Sequence, residues 1–193
     1  MQYKKVEVRE KILQAARKEY LERGYHGGNI SAVAERAGVP VGNLYRYFDG
    51  KSGLLDAIVG PVYEALPKLV GDLQQIEVLD SATLAQIMPM LTGRLLDFFD
   101  MFGDDVLILT DCCVGTKYED FAEDLTAKVA HVIEAKLYAG SQDEDDRIVA
   151  YAIGKAFCSS LFDVLRMGLG RERMQQIVER LIKFYFYETD KRK

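Results

Sequence analysis

Two tyrosines, an arginine and a lysine lie within seven residues of one another near the start of the chain. They are Tyr45, Arg46, Tyr47 and Lys51, in the stretch NLYRYFDGK. Guanidinium and ammonium groups bind phosphate or carboxylate oxygens, and tyrosine offers a flat ring together with a hydroxyl. Exposed aromatic side chains that lack a partner are uncommon in soluble proteins. The cluster therefore favours binding of an anionic partner at this point of the chain.

Residue types that serve as nucleophiles or metal ligands are sparse. The three cysteines, Cys112, Cys113 and Cys158, form no C-x-x-C spacing, and the sequence has two histidines, His26 and His131. A zinc site needs four ligands at recurring spacings, and a cysteine nucleophile needs a base within reach. We expect no metal, no cofactor and no catalytic residue, and we interpret the cysteines as buried thiols. A cysteine-dependent enzyme, with Cys112 or Cys113 as nucleophile and His131 as base, is the remote alternative.

The acidic run at residues 143–146 has the composition of a cation site, but its position indicates the start of a helix. Ser141 and Glu144 have the S-x-x-E spacing of a capping box. Carboxylates in a first helical turn are stabilised by the positive end of the helix dipole. We therefore expect a helix cap here and no bound metal.

Charge is distributed unevenly along the sequence. Residues 1–60 carry ten Lys and Arg against seven Asp and Glu, whereas the remaining 133 carry fifteen against twenty-three. A mildly basic first third on an acidic remainder is typical of a protein that meets nucleic acid with one end. The chain is 49% hydrophobic and 28% charged, which indicates a folded core. Charged residues interrupt its apolar runs, so we expect a cytoplasmic protein with no membrane partner.

Helical periodicity runs through nearly the whole sequence, and no alternating pattern of the kind found in strands interrupts it. The patterns predict an all-α fold of about nine helices. The first helix spans about 6–23, the second opens at Asn29, and the third runs from Pro40 to about Phe48. A fourth helix begins near Lys51, and five more follow, with Gly103 separating TLAQIMPMLTGRLLDFFDMF from DDVLILTDCC.

The second and third predicted helices are short and joined by a tight turn at Gly38, which is the arrangement of a helix-turn-helix. The first helix of this motif crosses the DNA backbone, and the second enters the major groove. Ala34 is small enough to let the helices approach closely, while Val39 and Leu44 would hold the turn on a small core. An ordinary helical hairpin with solvated charges is the alternative.

The segments ILQAARKEYLERGY and ISAVAERAGVPVGNLYRYFDGKSGLLDAI closely resemble the DNA-binding domain of the TetR family of bacterial transcriptional regulators. The resemblance covers roughly residues 8–58. It implies an N-terminal three-helix DNA-binding domain at residues 1–56, followed by a helical ligand-binding and dimerisation domain at 57–193. It further implies a sequence-specific transcriptional regulator, without enzymatic activity, that represses transcription until a small apolar ligand releases it.

Matching positions of the family motif imply which residues touch double-stranded DNA. The start of the third helix would contact bases, and Tyr47 and Lys51 would hold phosphates. Pro40 departs from the motif because many members have a capping Ser there, and the apolar Val41 could touch only a thymine methyl or a sugar. Together with the outward-directed Arg46, the predicted DNA contacts are Ser31, Val41, Gly42, Asn43, Tyr45, Arg46, Tyr47 and Lys51.

The segment from about residue 84 to 162 carries more Met, Cys and aromatic residues than a small helical bundle needs to close its core. Met and Cys adapt to irregular shapes, and the Tyr118 hydroxyl could orient a bound molecule. We predict a pocket here for an unknown effector, uncharged or weakly polar; simple core packing is the alternative. The predicted lining residues are Met88, Phe98, Phe99, Phe102, Cys112, Cys113, Tyr118, Phe121 and Phe157.

The last two helices are the predicted dimer interface. The penultimate one has an apolar stripe with Val149 and Phe157 and a second with Ile148 and Phe162, so it must be covered on two sides. We expect a homodimer that binds an inverted-repeat operator. A central helix inside a monomer is one alternative, and a DNA-binding regulator controlled by a protein partner, with no small-molecule ligand, is another.

Overall fold

The computed structural model describes residues 2–75 and 81–186, and within these ranges the ordered elements are all helices. These described ranges contain eight helices, where about nine were predicted for the chain. Their bounds are α1 Gln2–Gly27, α2 Ile30–Ala37, α3 Val41–Leu44, α4 Gly50–Gln74, α5 Ser81–Asp111, α6 Phe121–Leu137, α7 Glu144–Arg166 and α8 Arg171–Phe186. The prediction of an all-α fold is confirmed.

The chain divides into two compact units. The first contains the residues up to Ala65 together with Asp104–Phe121, and the second contains Leu66–Gly103 together with the residues from Ala122 onward. The helices α4 and α5 each contribute residues to both units, because the boundaries fall inside them.

In the first unit, local signals set the ends of α2. The Asn29 side chain accepts a hydrogen bond from the Ser31 N–H at 2.7 Å and satisfies a free donor of the first turn. Gly38 adopts the left-handed conformation, with φ of 68°, at the C-terminal end of the helix. Both predicted caps are observed. The predicted core residue Leu44 is fully buried, and Ala34 is 1% exposed.

The third helix is shorter than predicted. Regular α-helix ends at Leu44, and the chain continues to Phe48 through turns in which the Arg46 N–H donates to the Asn43 carbonyl and the Tyr47 N–H to the Leu44 carbonyl. Gly42 and Asn43 are weak helix formers, which accounts for the early loss of regular α geometry. Phe48 remains buried, so the turns still hold this end of the motif on the core.

The helix break predicted at Gly103 is absent, because α5 passes through this residue as one continuous helix. One glycine inside a helix costs about 1 kcal/mol relative to alanine. Buried side chains continue on both sides of it at helical spacing, from Leu96 and Phe99 to Val106, and their burial outweighs that cost.

The helix cap predicted at Ser141 lies two residues further along. Asp143 is the N-cap of α7, and its side chain accepts a hydrogen bond from the Asp145 N–H at 3.0 Å. The Ser141 hydroxyl instead accepts from the Asp143 N–H at 3.2 Å and bonds to the Asp146 carboxylate. The acidic run therefore begins a helix, as expected, with a carboxylate in place of the hydroxyl as its cap.

α7 has more apolar surface than its own unit covers. Among the described residues it is the one helix long and apolar enough, by length and composition, to cross a membrane, and the core helix of a soluble protein can meet the same criteria. In the most apolar stretch of this helix, 33% of the residues are buried. Ile148 is 60% exposed and Val149 is 43% exposed, while Lys155 and Asp163 on the same helix are also exposed.

Candidate functional site

A surface of polar, aromatic and small apolar residues follows from the geometry of α3. Leu44 and Phe48 point into the core of the first unit, so the residues between and before them are turned outward. Val41 is 38% exposed and Tyr45 is 58% exposed. We call the following set the recognition surface: Ser31, Val41, Gly42, Arg46 and Tyr45, which are exposed, and Asn43, Tyr47 and Lys51, which are half-buried.

Lys51 also has a structural role. Its ammonium donates to the His26 carbonyl at 3.0 Å and lies 4.7 Å from the centre of the Tyr25 ring, while the Tyr20 hydroxyl donates to the Lys51 carbonyl at 3.1 Å. Burial lowers the pKa of this ammonium. An ammonium has three N–H donors, and the bond to His26 uses one of them. Lys51 thus fastens the start of α4 to the end of α1.

A buried carboxylate holds α2 against α1. Glu19 is fully buried, and its Oε1 accepts from the Asn29 N–H at 3.1 Å. A guanidinium nitrogen of Arg36 lies 3.6 Å from Glu19 Oε2. Arg36 also forms a bidentate pair with Glu22, at 2.9 and 2.7 Å, and this hydrogen bonding lowers the pKa of the Glu22 carboxyl. The sequence analysis missed these residues, although Glu19 stands out as a charge among apolar neighbours on α1.

Within the first unit, an ion pair and a backbone hydrogen bond join the segment Asp104–Phe121 to α1. Arg17 donates to both carboxylate oxygens of Asp105, at 2.6 and 3.0 Å, and the Asp105 side chain is 7% exposed. The Asp105 hydrogen bond raises the pKa of the Arg17 guanidinium. The Tyr25 N–H donates to the Cys112 carbonyl at 2.9 Å.

A second attachment of this segment centres on Asp56 of α4. The Asp56 carboxylate accepts from the Tyr118 hydroxyl at 2.9 Å and from the Lys117 ammonium at 3.0 Å. The Tyr63 ring packs against two other rings, with its centre 5.1 Å from that of Tyr118 and 5.3 Å from that of Phe121. Burial and the bond to Asp56 raise the pKa of the Tyr118 hydroxyl. Two of the predicted pocket residues, Tyr118 and Phe121, therefore belong to the first unit.

The cysteine thiols lack the environment of a nucleophile. Cys113 is buried, its thiol donates to the Ile108 carbonyl at 3.3 Å, and burial raises its pKa to about 12. Burial likewise raises the pKa of Cys158 to about 11 and that of Cys112 above its ordinary value. The thiolate is the reactive form, and these shifts disfavour it. Within residues 2–75 and 81–186, no three His, Cys, Asp or Glu residues are grouped for metal binding.

The second unit contains an apolar cavity of about 230 Å³ that is partly open to solvent. Parts of α4, α5, α6, α7 and α8 surround it, and its walls are almost entirely aliphatic or aromatic. Two charged side chains, Arg94 and Lys136, also line it. The walls include Leu66, Leu95, Leu125, Phe157, Leu161 and Phe186.

The predicted pocket residues are dispersed. Phe99 and Phe157 line the cavity, whereas Met88 is buried elsewhere on α5. Phe98 and Phe102 are half-buried and stack on each other with ring centres 5.1 Å apart. Cys112 and Cys113 lie in the first unit with Tyr118 and Phe121. The walls from α4 and α6 were missed, although apolar residues recur at helical spacing from Leu125 to Leu137.

The family model described as "Bacterial regulatory proteins, tetR family" matches residues 12–58. This segment contains α2, α3, most of α1 and the first residues of α4, and thus the whole recognition surface.

Similar proteins share mainly this N-terminal part. The HTH-type transcriptional repressor KstR of Mycolicibacterium smegmatis is 43% identical over 60 residues, which are 31% of this chain and 29% of that protein. The HTH-type transcriptional activator FasR of the same species is 28% identical over 153 residues, covering 71% of this chain and 70% of that protein. The chain spans about half, or less, of the length of the first curated relatives that it matches.

Solved structures match the fold over nearly the whole chain. The crystal structure of a TetR-like transcriptional regulator from Rhodococcus sp. RHA1 matches with a TM-score of 0.61 at 14% identity. The match covers 90% of this chain and 92% of the other. The chain therefore has a known helical fold, although its sequence identity to that protein is low.

Proposed function

We propose that the chain is a sequence-specific DNA-binding transcriptional regulator of the TetR family, whose model matches residues 12–58. It acts as a repressor, and a small, mainly apolar ligand releases it from its operator. Residues 1–56 form the DNA-binding domain, and residues 57–193 form the domain for ligand binding and dimerisation. The repressor KstR is similar over the DNA-binding part.

The recognition surface is the observation that carries the proposal. Tyr45 and Arg46 are exposed beside Val41, on a turn that the buried Leu44 holds in place. Arg46 can bind a phosphate, and Asn43 can read an adenine. Val41 contributes only apolar contact, which suits a thymine methyl. The family match over the same residues adds independent support.

The exposed apolar residues of α7 and α8 support a homodimer. Ile148, Val149 and Tyr151 are exposed on α7, and Phe184 is 69% exposed on α8. The Ser160 hydroxyl bonds to the Tyr185 hydroxyl at 3.1 Å, which joins the two helices into one surface. Two such pairs, one from each subunit, make a four-helix interface. A two-fold dimer places its recognition helices about 34–36 Å apart, so that they meet successive major grooves.

The cavity supports control by a small molecule over control by a protein partner. It lies between five helices and is lined almost wholly by apolar residues, which is the usual character of a ligand pocket. Leu66 and Val70 of α4 line it, and the same helix carries Lys51 and Asp56 in the first unit. A ligand that prefers one position of α4 thereby changes DNA affinity, by no more than its preference between the two states.

A binding assay on the operator tests this function. A duplex selected from a random library should contain an inverted repeat, and sedimentation should show a dimer at micromolar concentration. Asn43→Ala should change which base is preferred by about 1–3 kcal/mol. Arg46→Gln should weaken binding to all duplexes alike and make the dependence on salt shallower by about one unit.

Lys128→Gln is the matched control, because Lys128 is an exposed cation of α6 outside the recognition surface. It should leave the affinity and the salt dependence unchanged. Operator affinity within twofold of wild type for both Asn43→Ala and Arg46→Gln would overturn the recognition surface. A monomeric mass would overturn the dimer.

A further inference from the structure

We propose that the cavity of the second unit binds an alkylbenzene of about nine carbon atoms, with its ring beside an aromatic wall and its alkyl chain beside an aliphatic wall. This inference rests on the proposed function in one respect, that the cavity is the effector site. It deepens that function, because it names one chemical class, a hydrocarbon with one ring, among the mainly apolar ligands.

The aromatic wall is formed by α7 and α8. Three of the six residues with which these helices line the cavity are phenylalanines, Phe157, Phe162 and Phe186. The rings of Phe157 and Phe186 pack edge to face, with their centres 5.0 Å apart. Aromatic rings attract one another at centre-to-centre separations of about 4.5–7 Å, beyond the effect of area burial. A ligand ring beside this wall would therefore extend an existing cluster of rings.

The aliphatic wall is formed by α4 and α6. The Lys136 ammonium of α6 donates to the Gln74 carbonyl of α4 at 2.7 Å, which joins the two helices. Apart from Lys136, every residue with which they line the cavity is leucine, valine or isoleucine, for example Leu66, Leu125 and Val129. Such side chains attract an alkyl chain by burial alone and offer a ring no aromatic partner. The two walls therefore favour different ends of one molecule.

The described lining residues give a buried polar group of the ligand no good partner. None of them has a hydroxyl, amide or carboxylate side chain, and the thiol of Cys158 is a weak donor. Arg94 pairs with Asp72 at 3.4 Å, so its charge has a partner in the protein, as that of Lys136 has in the Gln74 carbonyl. A buried hydroxyl would lose its hydration without compensation. The cavity therefore favours a hydrocarbon over its hydroxylated analogue.

The volume of the cavity sets the size of the ligand. An apolar cavity of about 150 Å³ accepts benzene, so a volume of about 230 Å³ has room for roughly nine carbon atoms. Propylbenzene has this number. Each CH₂ group that leaves water for the cavity should raise the affinity about fourfold. A longer chain would extend through the open side into water and gain less.

A series of neutral probes added to the full chain tests the proposal, with the free probe measured in the vapour above the solution. Affinity should rise about fourfold per CH₂ group from toluene to propylbenzene, and by less than about twofold per group from there to hexylbenzene. Propylbenzene should bind about threefold to tenfold more tightly than propylcyclohexane, once each affinity is divided by the probe's partition coefficient into hexadecane. 4-Propylphenol should bind at least about tenfold more weakly than propylbenzene.

Substitutions in the two walls separate the ring from the chain. Phe157→Leu removes a ring of the aromatic wall and should abolish the corrected advantage of propylbenzene over propylcyclohexane. Val129→Phe fills space at the aliphatic wall and should weaken propylbenzene about tenfold while changing toluene by less than about twofold. Phe98→Leu is the matched control, because Phe98 is a half-buried phenylalanine that packs on Phe102 and does not line the cavity. It should retain every preference of the wild type.

Equal corrected affinity of the wild type for propylbenzene and propylcyclohexane would overturn the aromatic wall as the site of a ring, and so would an unchanged advantage in Phe157→Leu. Binding of 4-propylphenol as tightly as propylbenzene would overturn the hydrocarbon class. Absence of binding by every probe would overturn the inference as a whole. The probe comparisons on the wild type decide the ligand class even where a variant does not fold.

The operator assay separates failure of this inference from failure of the proposed function. A protein that binds its selected duplex but none of the probes would retain the DNA-binding assignment and contradict the ligand class. A protein that binds propylbenzene but selects no duplex would contradict the regulatory function and retain the ligand class. If both bind, saturating propylbenzene should lower the affinity for the duplex, and an unchanged affinity would contradict the cavity as the effector site.

Discussion

Three side chains of the recognition surface, Val41, Tyr45 and Arg46, lie on one short stretch of the chain at α3. The apolar cavity of the second unit is instead lined by residues from five helices. At the recognition surface, burial of Leu44 and Phe48 is enough to turn the intervening side chains outward. At the cavity, no single helix forms the wall, because each of the five helices contributes two to six residues to it. A function that resides in one turn can be found from a local pattern, and a function that resides between helices requires their packing.

The two regions also differ in how their polar groups are arranged. In the first unit, Glu19 is buried and Asp105 nearly so, and each lies close to arginine. The pairs of the second unit, such as Arg171 with Asp97, are exposed. The first unit thus depends on buried electrostatics to hold short helices in place, and the second depends mainly on apolar contact. Three experiments compare the regions directly.

The largest difference should come from truncating one leucine in each region. Leu54 is fully buried in the first unit, and Leu161 is 8% exposed and borders the cavity. Leu54→Ala should lower the free energy of unfolding by about 3–5 kcal/mol and Leu161→Ala by about 2–3 kcal/mol, because Leu161 already faces empty space on one side. Urea unfolding at one protein concentration measures both. A larger loss of stability for Leu161→Ala would indicate that Leu161 is tightly packed on all sides and that the cavity is closed in solution.

The second comparison removes one carboxylate from each region. Asp105→Asn should cost about 1.5–3 kcal/mol of stability, since it weakens two charged hydrogen bonds to a half-buried guanidinium. Asp97→Asn should cost at most about 1 kcal/mol, because Asp97 and Arg171 are both exposed to solvent. Thermal unfolding without added salt and with roughly 0.5 M salt, at which the Debye length is about 4 Å, measures both losses of stability. Equal losses would show that burial of the ion pair between Arg17 and Asp105 adds nothing to the stability of the fold.

The smallest effects should appear at alkaline pH, with one thiol in each unit. Burial raises the pKa of Cys113 to about 12 and of Cys158 to about 11, so both stay protonated in the folded chain at pH 10. In the unfolded chain a thiol ionises near pH 8.5, so the unfolded state binds fewer protons and stability falls as pH rises. The expected loss at pH 10 is about 1–2 kcal/mol for each thiol.

Urea unfolding at pH 8 and pH 10 measures this loss. The variants Cys113→Ala and Cys158→Ala each remove one thiol, and each should lose less stability between the two pH values than the wild type does. If the wild type and both variants lost equal stability between pH 8 and pH 10, burial of these thiols would not be the cause of the pH dependence.

Much of the first unit follows from local sequence. The Asn29 cap and the left-handed Gly38 depend on bonds within a few residues, so residue type and spacing predict them. The outward direction of Tyr45 and Arg46 follows from the helical spacing of Leu44 and Phe48. Even here the side chains of Arg17 and Asp105 meet across 88 positions of sequence, and no local pattern connects them.

Spacing by itself determined that the chain is all-helical, where α2 begins and ends, and which residues near its start face outward, because backbone hydrogen bonds and caps act over three or four residues. Packing alone decided that α5 runs unbroken through Gly103 and that Tyr118 bonds to Asp56 in the first unit. Packing also decided that Arg94 lies at an apolar cavity. The physical reason is the range of the forces involved, since a cavity and a long-range ion pair depend on distances between helices that are far apart in the sequence.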